Sequence, residues 1–142
     1  MHRIFRNCLV AGALALVGAP ALAGTVVIVS ASSPVKSLSK DDAAALYLGK
    51  TTSLPAGGNA KLFDLADSNP LREKFYQAAT GKSASQVKSV WSRLVFSGRA
   101  VPPKELGSDD AVVKAVAADP SAVGYVDSSA VNGSVRAVLQ LP

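Results

Sequence analysis

The sequence predicts a layered α/β domain, and three observations carry that expectation. Thr25–Val29 (TVVIV) is an almost wholly apolar, β-branched run, as a strand buried on both faces and central in a helix-covered sheet would be. Val87, Val90, Trp91, Leu94 and Val95 recur at i, i+3, i+4, i+7 and i+8 with Lys88, Ser89, Ser92 and Arg93 opposite, the pattern of an amphipathic helix. Asn132-Gly133, a strong turn signal, separates two further strand-like runs, Ala122–Val126 and Val135–Leu141. Strands interleaved with helices of this length form a sheet covered by helices.

Residues 1–23 stand outside that domain. Arg3 and Arg6 make a basic start, Leu9–Val17 is apolar, and Ala21-Leu22-Ala23 is a small-x-small site of the kind signal peptidase cuts, so cleavage after Ala23 and export to the periplasm are expected. Gly12, Gly18 and Pro20 interrupt the apolar run, which is shorter than the ~20 residues that span a bilayer. Cys8 precedes the run and does not sit at the cleavage point, so it is not a lipid-anchor cysteine.

Residues 24–142 then form a single domain, too short for two lobes. Thr25–Val29 is followed by a polar loop, Ser30–Ser37, that contains Pro34. Ser39 and Asp42 make a capping pair for a first helix, Lys40–Leu48, which Gly49 closes. A turn at Pro55, Gly57 and Gly58 leads to a short strand, Lys61–Leu65. Asn69 caps a second helix with Pro70 at its first position, Leu71, Phe75, Ala78 and Ala79 on one face, and Gly81 at its end. The Val87–Val95 stripe is the third helix; within it Trp91 reads as core, or alternatively as a platform for ligand stacking. Ser108 caps a fourth helix with Asp109 and Asp110 in its first turn, and Asp119-Pro120 stops it. In the last strand Val135, Ala137, Leu139 and Leu141 alternate with Arg136 and Gln140, giving one wetter face.

Cleavage would remove both His2 and Cys8, the only histidine and the only cysteine. The mature chain then has no disulfide, no thiolate or imidazole metal ligand and no histidine-based nucleophilic triad, and no cofactor is expected. Fifteen Lys and Arg face ten Asp and Glu in the full chain, and losing Arg3 and Arg6 leaves a net charge of about +3. The cations are scattered singly from Lys36 to Arg136, without the clustered run or interleaved aromatics of a nucleic-acid binder. Asp64 and Asp67 are the one close carboxylate pair near a strand end; they read as solvated loop acids, or as an acid and base that would need a set separation across a cleft. No phosphate loop of the Gly-rich type followed by Lys-Ser or Lys-Thr occurs, and an enzyme is not expected.

Three segments at fixed offsets, LSKDDAAALYLGK (38–50), SNPLREKFYQAATGKSASQVKSVWSRLVFSGRAVPP (68–103) and AVGYVD (122–127), resemble the second lobe of phosphate-type periplasmic substrate-binding proteins, and especially the short single-lobe members of that family. The resemblance implies a type II periplasmic-binding-protein-like lobe with a mixed sheet flanked by helices. It implies a solute-binding role, for phosphate or a related small oxyanion, beside an ABC permease; the alternative is a sensing or accessory module that meets a membrane sensor. In that family the second helix opens on a Ser-Gly-Thr turn preceded by an arginine, and these hold the oxyanion. Here Asn69, Pro70 and Leu71 stand in that turn and Leu65 near the arginine, so Pro70 removes a backbone donor. Ser68, Asn69 and Arg72 are the candidates for a rebuilt, weaker anion pocket, with Arg72 open to the second reading of a solvated helix residue. Ser32 and Ser33, in the loop after the first strand, are the other candidates, as hydroxyl donors or as plain loop residues.

Overall fold

A computed structural model describes residues 24–142. The expected signal segment, 1–23, and its cleavage site lie outside the described residues. In chain order the elements are β1 (Thr25–Ser30), α1 (Lys40–Tyr47), β2 (Lys61–Leu65), α2 (Pro70–Thr80), α3 (Ala84–Phe96), β3 (Lys104–Leu106), α4 (Asp109–Ala117), β4 (Ala122–Asp127), a 3-10 turn (Ser128–Ala130) and β5 (Val135–Gln140). The five strands form one mixed sheet in the order β3-β2-β4-β1-β5. β2 runs parallel to both β3 and β4, whereas β1 runs antiparallel to β4 and β5. Every residue of β1 is buried, as its unbroken apolar run requires of a strand with neighbours on both sides and helices on both faces.

Alternation along β4 assigns the helices to the two faces. Gly124 faces α4 so closely that a Cβ there would stand 2.6 Å from Val112 Cγ1 and 3.0 Å from Val116 Cγ2. The next residue, Tyr125, points to the other face, where its ring stacks on Phe75 of α2 at 3.8 Å between centroids and 4° between planes. Tyr47, at the end of α1, closes the same cluster edge-on to Phe75 at 4.8 Å. Its hydroxyl donates to the carbonyl of Phe63 at 2.7 Å, so a buried phenol ties α1 to β2. Trp91 is buried, and its indole N–H donates to the Tyr47 carbonyl at 2.7 Å, which fastens α3 to the last turn of α1.

The helix signals operate as capping devices. Ser39 and Asp42 form a reciprocal capping box, and a second box, Ser83 with Gln86, starts α3 at Ala84, ahead of the Val87–Val95 stripe. Gly81 ends α2 at φ 71°, a left-handed conformation that favours glycine. Among the described residues no helix is long and apolar enough to cross a membrane.

Two expectations are corrected. The alternation expected along β5 breaks, because Val135, Val138 and Leu141 are the buried residues while Ala137 is exposed. The pairing passes from Val27↔Leu139 to Ile28↔Ala137, leaving Val138 as an extra residue; this bulge resets which side of the strand faces the core. The segment after the Pro-Pro turn also adds a strand, β3, which is only three residues long and therefore carries no readable alternation.

Candidate functional site

Ligands of open α/β sheets meet the chain outside the carboxyl ends of the parallel strands, where helix starts offer free N–H groups. Here β2, β3 and β4 deliver the starts of α2 and α4 and the Asp127 turn to one shallow cleft of about 590 Å³. Asn69, Pro70, Lys74, Ser108, Asp109 and Asp127 line it. Both helix starts are capped from within the chain. Asn69 Oδ1 accepts from Leu71 N at 3.0 Å, and Ser108 Oγ accepts from Ala111 N at 3.2 Å. Pro70 supplies no N–H.

Charge at the cleft is mixed. Asp109 Oδ2 accepts from Asp127 N at 3.2 Å. Burial, and then the neighbouring Asp127 and Asp110, push the Asp109 carboxyl above its ordinary range. Asp127 is held below its ordinary value by hydrogen bonds from the Ser129 hydroxyl and backbone N–H. Lys74 is the single cation among the lining residues. An entering anion would therefore meet two carboxylates and one ammonium, with the helix N–H groups partly spoken for.

Outside the lining of that cleft, between α2 and the sheet, lies a buried polar network. Asp64, 2% exposed, sits in the apolar strand KLFDL. Tyr76 donates its hydroxyl to Oδ2 at 2.5 Å, Tyr125 donates to Oδ1, and Leu65 N donates to Oδ1 at 2.8 Å. Arg72, 5% exposed, stands with Nη2 3.8 Å from Asp64 Oδ2. Its Nη1 lies 2.8 Å from Asp67 Oδ1 and 2.7 Å from Glu105 Oε1, and it also donates to the Leu65 carbonyl at 3.2 Å. Burial works against the guanidinium charge, but Glu105 foremost, then Asp64, Tyr76 and Asp67, hold its pKa above the ordinary value. Nε of Arg72 is buried without a hydrogen-bond partner. Lys88 extends the chain of charges outward by pairing with Asp67 at 2.8 Å.

The reading of Asp64 and Asp67 as solvated loop acids therefore holds for neither in full. Asp64 is a buried acceptor of two phenols, and Asp67 is an exposed member of the ion-pair chain. Arg72 likewise is not a solvated helix residue; it is the buried hub of three carboxylates. Ser68 is exposed in the turn that precedes α2 and is close to Asn69 and Arg72 in sequence, but Asn69 lines the cleft whereas the Arg72 guanidinium turns away from it towards Asp64 and Glu105, so the three are not gathered at one pocket. Ser32 and Ser33 are not brought to them. β1 is antiparallel to β4, and Val29 and Leu62 both pair with Val123, so the loop after β1 lies at the amino ends of the parallel strands. One small ligand cannot touch both groups. The Ser32 hydroxyl pairs with Ser30 Oγ at 2.9 Å, and Ser33 Oγ accepts from Val35 N at 3.1 Å. Arg136 gathers the carbonyls of Ala31, Ser33 and Val35 at 2.7–3.3 Å, which stiffens that loop.

Comparison with known proteins places this architecture. No family model matches the sequence, and no curated protein matches it. Among solved structures it is similar to a phosphate ABC transporter substrate-binding protein with bound phosphate from Clostridium perfringens, at 22% identity and TM-score 0.67, over 82% of this chain and 44% of that one. It is similar to an ABC-type phosphate transport receptor from Vibrio cholerae at 18% identity and TM-score 0.64, over 82% of this chain and 45% of that one. PstS from Borrelia burgdorferi matches at 10% identity and TM-score 0.54, over 80% of this chain and 46% of that one. The chain thus spans under half the length of each of these proteins. Its five-stranded mixed sheet with flanking helices is the fold of the phosphate-type periplasmic substrate-binding proteins.

Proposed function

We propose that this chain is a periplasmic accessory module with a solute-binding fold, serving an ABC-type uptake system or a membrane sensor and holding phosphate only weakly when alone. The observation that carries this reading is the commitment of Arg72 to Asp64, Asp67 and Glu105, together with helix starts capped by Asn69 and Ser108. A guanidinium already matched by three carboxylates has little attraction left for an oxyanion, and an open cleft leaves water to screen what remains. Export rests on the basic start, the apolar run and Ala21-Leu22-Ala23, with the cut between Ala23 and Gly24. Intact-mass analysis of the periplasmic fraction tests the cut, and a dominant species that retains Met1 would refute it.

A second reading is oxyanion capture for transport, with phosphate held at Ser68, Asn69 and Arg72. It draws support from the phosphate-binding neighbours, from the exposed Ser68 and from the unpartnered Nε of Arg72. Calorimetry of the purified protein with phosphate separates the two. Weak or undetectable heat supports the accessory module. Tight binding that Asn69→Ala or Ser68→Ala weakens supports capture and overturns the first reading.

A further inference from the structure

A second cleft opens at the opposite end of the sheet. Its volume is about 740 Å³, within the range of about 300–1,000 Å³ that small-molecule sites occupy and far larger than one tetrahedral oxyanion needs. It lies between the loop that follows α1 and the loop that joins α3 to β3, at the amino ends of the parallel strands. The expected phosphate cleft lies at their carboxyl ends. Four cations line it, Lys50, Lys61, Arg99 and Lys104, and no carboxylate does.

The charges of the chain are unevenly shared. Asp64, Asp67 and Glu105 are engaged by Arg72, and Asp109 and Asp127 sit at the carboxyl end. Glu105 pairs with Arg72, whereas its neighbour Lys104, the first residue of β3, stands at the rim of the cleft. Lys50, Arg99 and Lys104 take part in no salt bridge among the described residues, and all three are exposed. Lys61 is the least free: it stands over the Phe63 ring at 5.8 Å, and its charge contributes to the lowered pKa of Asp119, behind the hydrogen bonds from Ser121.

Thr51, Thr52 and Asn59 add hydroxyl and amide groups to the lining, and Leu46, Trp91 and Val101 give an apolar wall. Gly49 lets the chain pass tight against Trp91 there, in a left-handed turn at φ 70°. Several unpaired cations, neutral donors and an apolar wall in one concavity suit a ligand with two or more phosphoryl groups, each able to carry up to two charges. The chain from Arg99 to Lys104 borders the cleft, with Val101 88% exposed between Arg99 and Lys104.

We infer that this basic cleft binds clustered phosphoryl groups, whether on a free polyphosphate chain or as headgroups of an anionic lipid, and that Lys50 and Arg99 are the principal contacts. Trp91, the only tryptophan, forms part of the wall and reports occupancy by its fluorescence. The test titrates the purified protein with inorganic tripolyphosphate and, separately, with phosphatidylglycerol vesicles, using orthophosphate and phosphatidylcholine vesicles as controls. A saturable change in Trp91 emission with tripolyphosphate, weakened by salt and by roughly tenfold in Lys50→Glu/Arg99→Glu, is the result expected for a free chain. Vesicle binding lost in the same variant, with no response to tripolyphosphate, assigns the lipid source and supports the site equally. Both positions are exposed, and an unchanged melting temperature shows that the variant is folded. The inference is overturned if neither probe binds, if the charge reversal leaves binding unchanged, or if Asn69→Ala abolishes it. The last result would move the ligand to the carboxyl-end cleft, so this test fails independently of the phosphate calorimetry above.

Discussion

Tyr76 donates its hydroxyl to Asp64 Oδ2 at 2.5 Å inside the core, so a buried carboxylate in the middle of β2 is held by a phenol of α2. Tyr125 takes the other oxygen from β4, and Arg72 stands nearby with its positive charge. Burying a charged carboxylate is costly unless its lone pairs are filled and its charge is matched, and here both conditions are met. The pair joins α2 to the sheet inside the core.

The three tyrosines of the chain, Tyr47, Tyr76 and Tyr125, are all fully buried. Burial first, and then the Asp64 charge, push each phenol well above its ordinary pKa. Below about pH 10 folded and unfolded states both keep these phenols neutral, so their contribution to stability is present in full. Above that pH the unfolded state loses protons that the folded state retains, and stability falls as pH rises. Three such groups give a slope of about 4 kcal/mol per pH unit. Denaturant melts from pH 8 upward, followed together with tyrosinate absorbance, check this: absorbance should appear only with unfolding. A phenol that titrates near its ordinary value in the folded protein would contradict the burial argument.

Arg72→Ala should destabilise the protein by about 3–5 kcal/mol, because it strands the buried Asp64 charge. Arg72→Ala combined with Asp64→Asn should recover part of that loss. Urea unfolding of the single and double variants measures the difference. An additive, unrecovered loss would mean that the two charges do not depend on each other.

Trp91→Ala removes a buried ring and the indole bond to the Tyr47 carbonyl. A cost of about 3–5 kcal/mol is expected from the cavity alone. Trp91→Phe keeps much of the ring and should cost less. An unchanged melting temperature for the alanine variant would contradict the structural role.

Gly124→Ala places a methyl group against Val112 and Val116, which are themselves buried in α4. Overpacking of this kind costs about 1–3 kcal/mol. Thermal unfolding should show the loss, and Val112→Ala should relieve it in the double variant, since that change frees the nearest atom.

Much of the architecture was legible in the sequence because it is written in local signals. The Ser39–Asp42 pair, Asn69-Pro70 and Gly81 each mark a helix boundary through groups within a few residues, and all three act where they were expected. The TVVIV run identified a strand buried on both faces for the same reason. What escaped depends on partners far along the chain. Asp64 is satisfied by Tyr76 and Tyr125, the latter 61 residues away, and nothing near Asp64 announces those phenols. A clue was present all the same: a lone acid between Phe63 and Leu65 in an apolar strand must be paired if it is buried. Arg72 was placed correctly at the start of α2, but its direction was set by Glu105 on a strand too short to be read. The β5 alternation failed because a bulge is a relationship between two strands and leaves no mark in one. The basic cleft was invisible for a related reason, since Lys50, Lys61, Arg99 and Lys104 look like isolated surface cations until folding gathers them.

The bulge in β5 also bears on how the molecule keeps to itself. β5 is an outer strand of the sheet, and a straight outer strand offers a regular row of free N–H and C=O groups that another chain can dock against and extend. Here the extra residue, Val138, breaks the spacing of that row in mid-strand, and its carbonyl is taken by the N–H of Leu38 at 3.0 Å. At the far edge β3 is only three residues long, with charged Lys104 and Glu105 exposed on it. Both margins of the sheet are thus poor templates for runaway strand-to-strand growth.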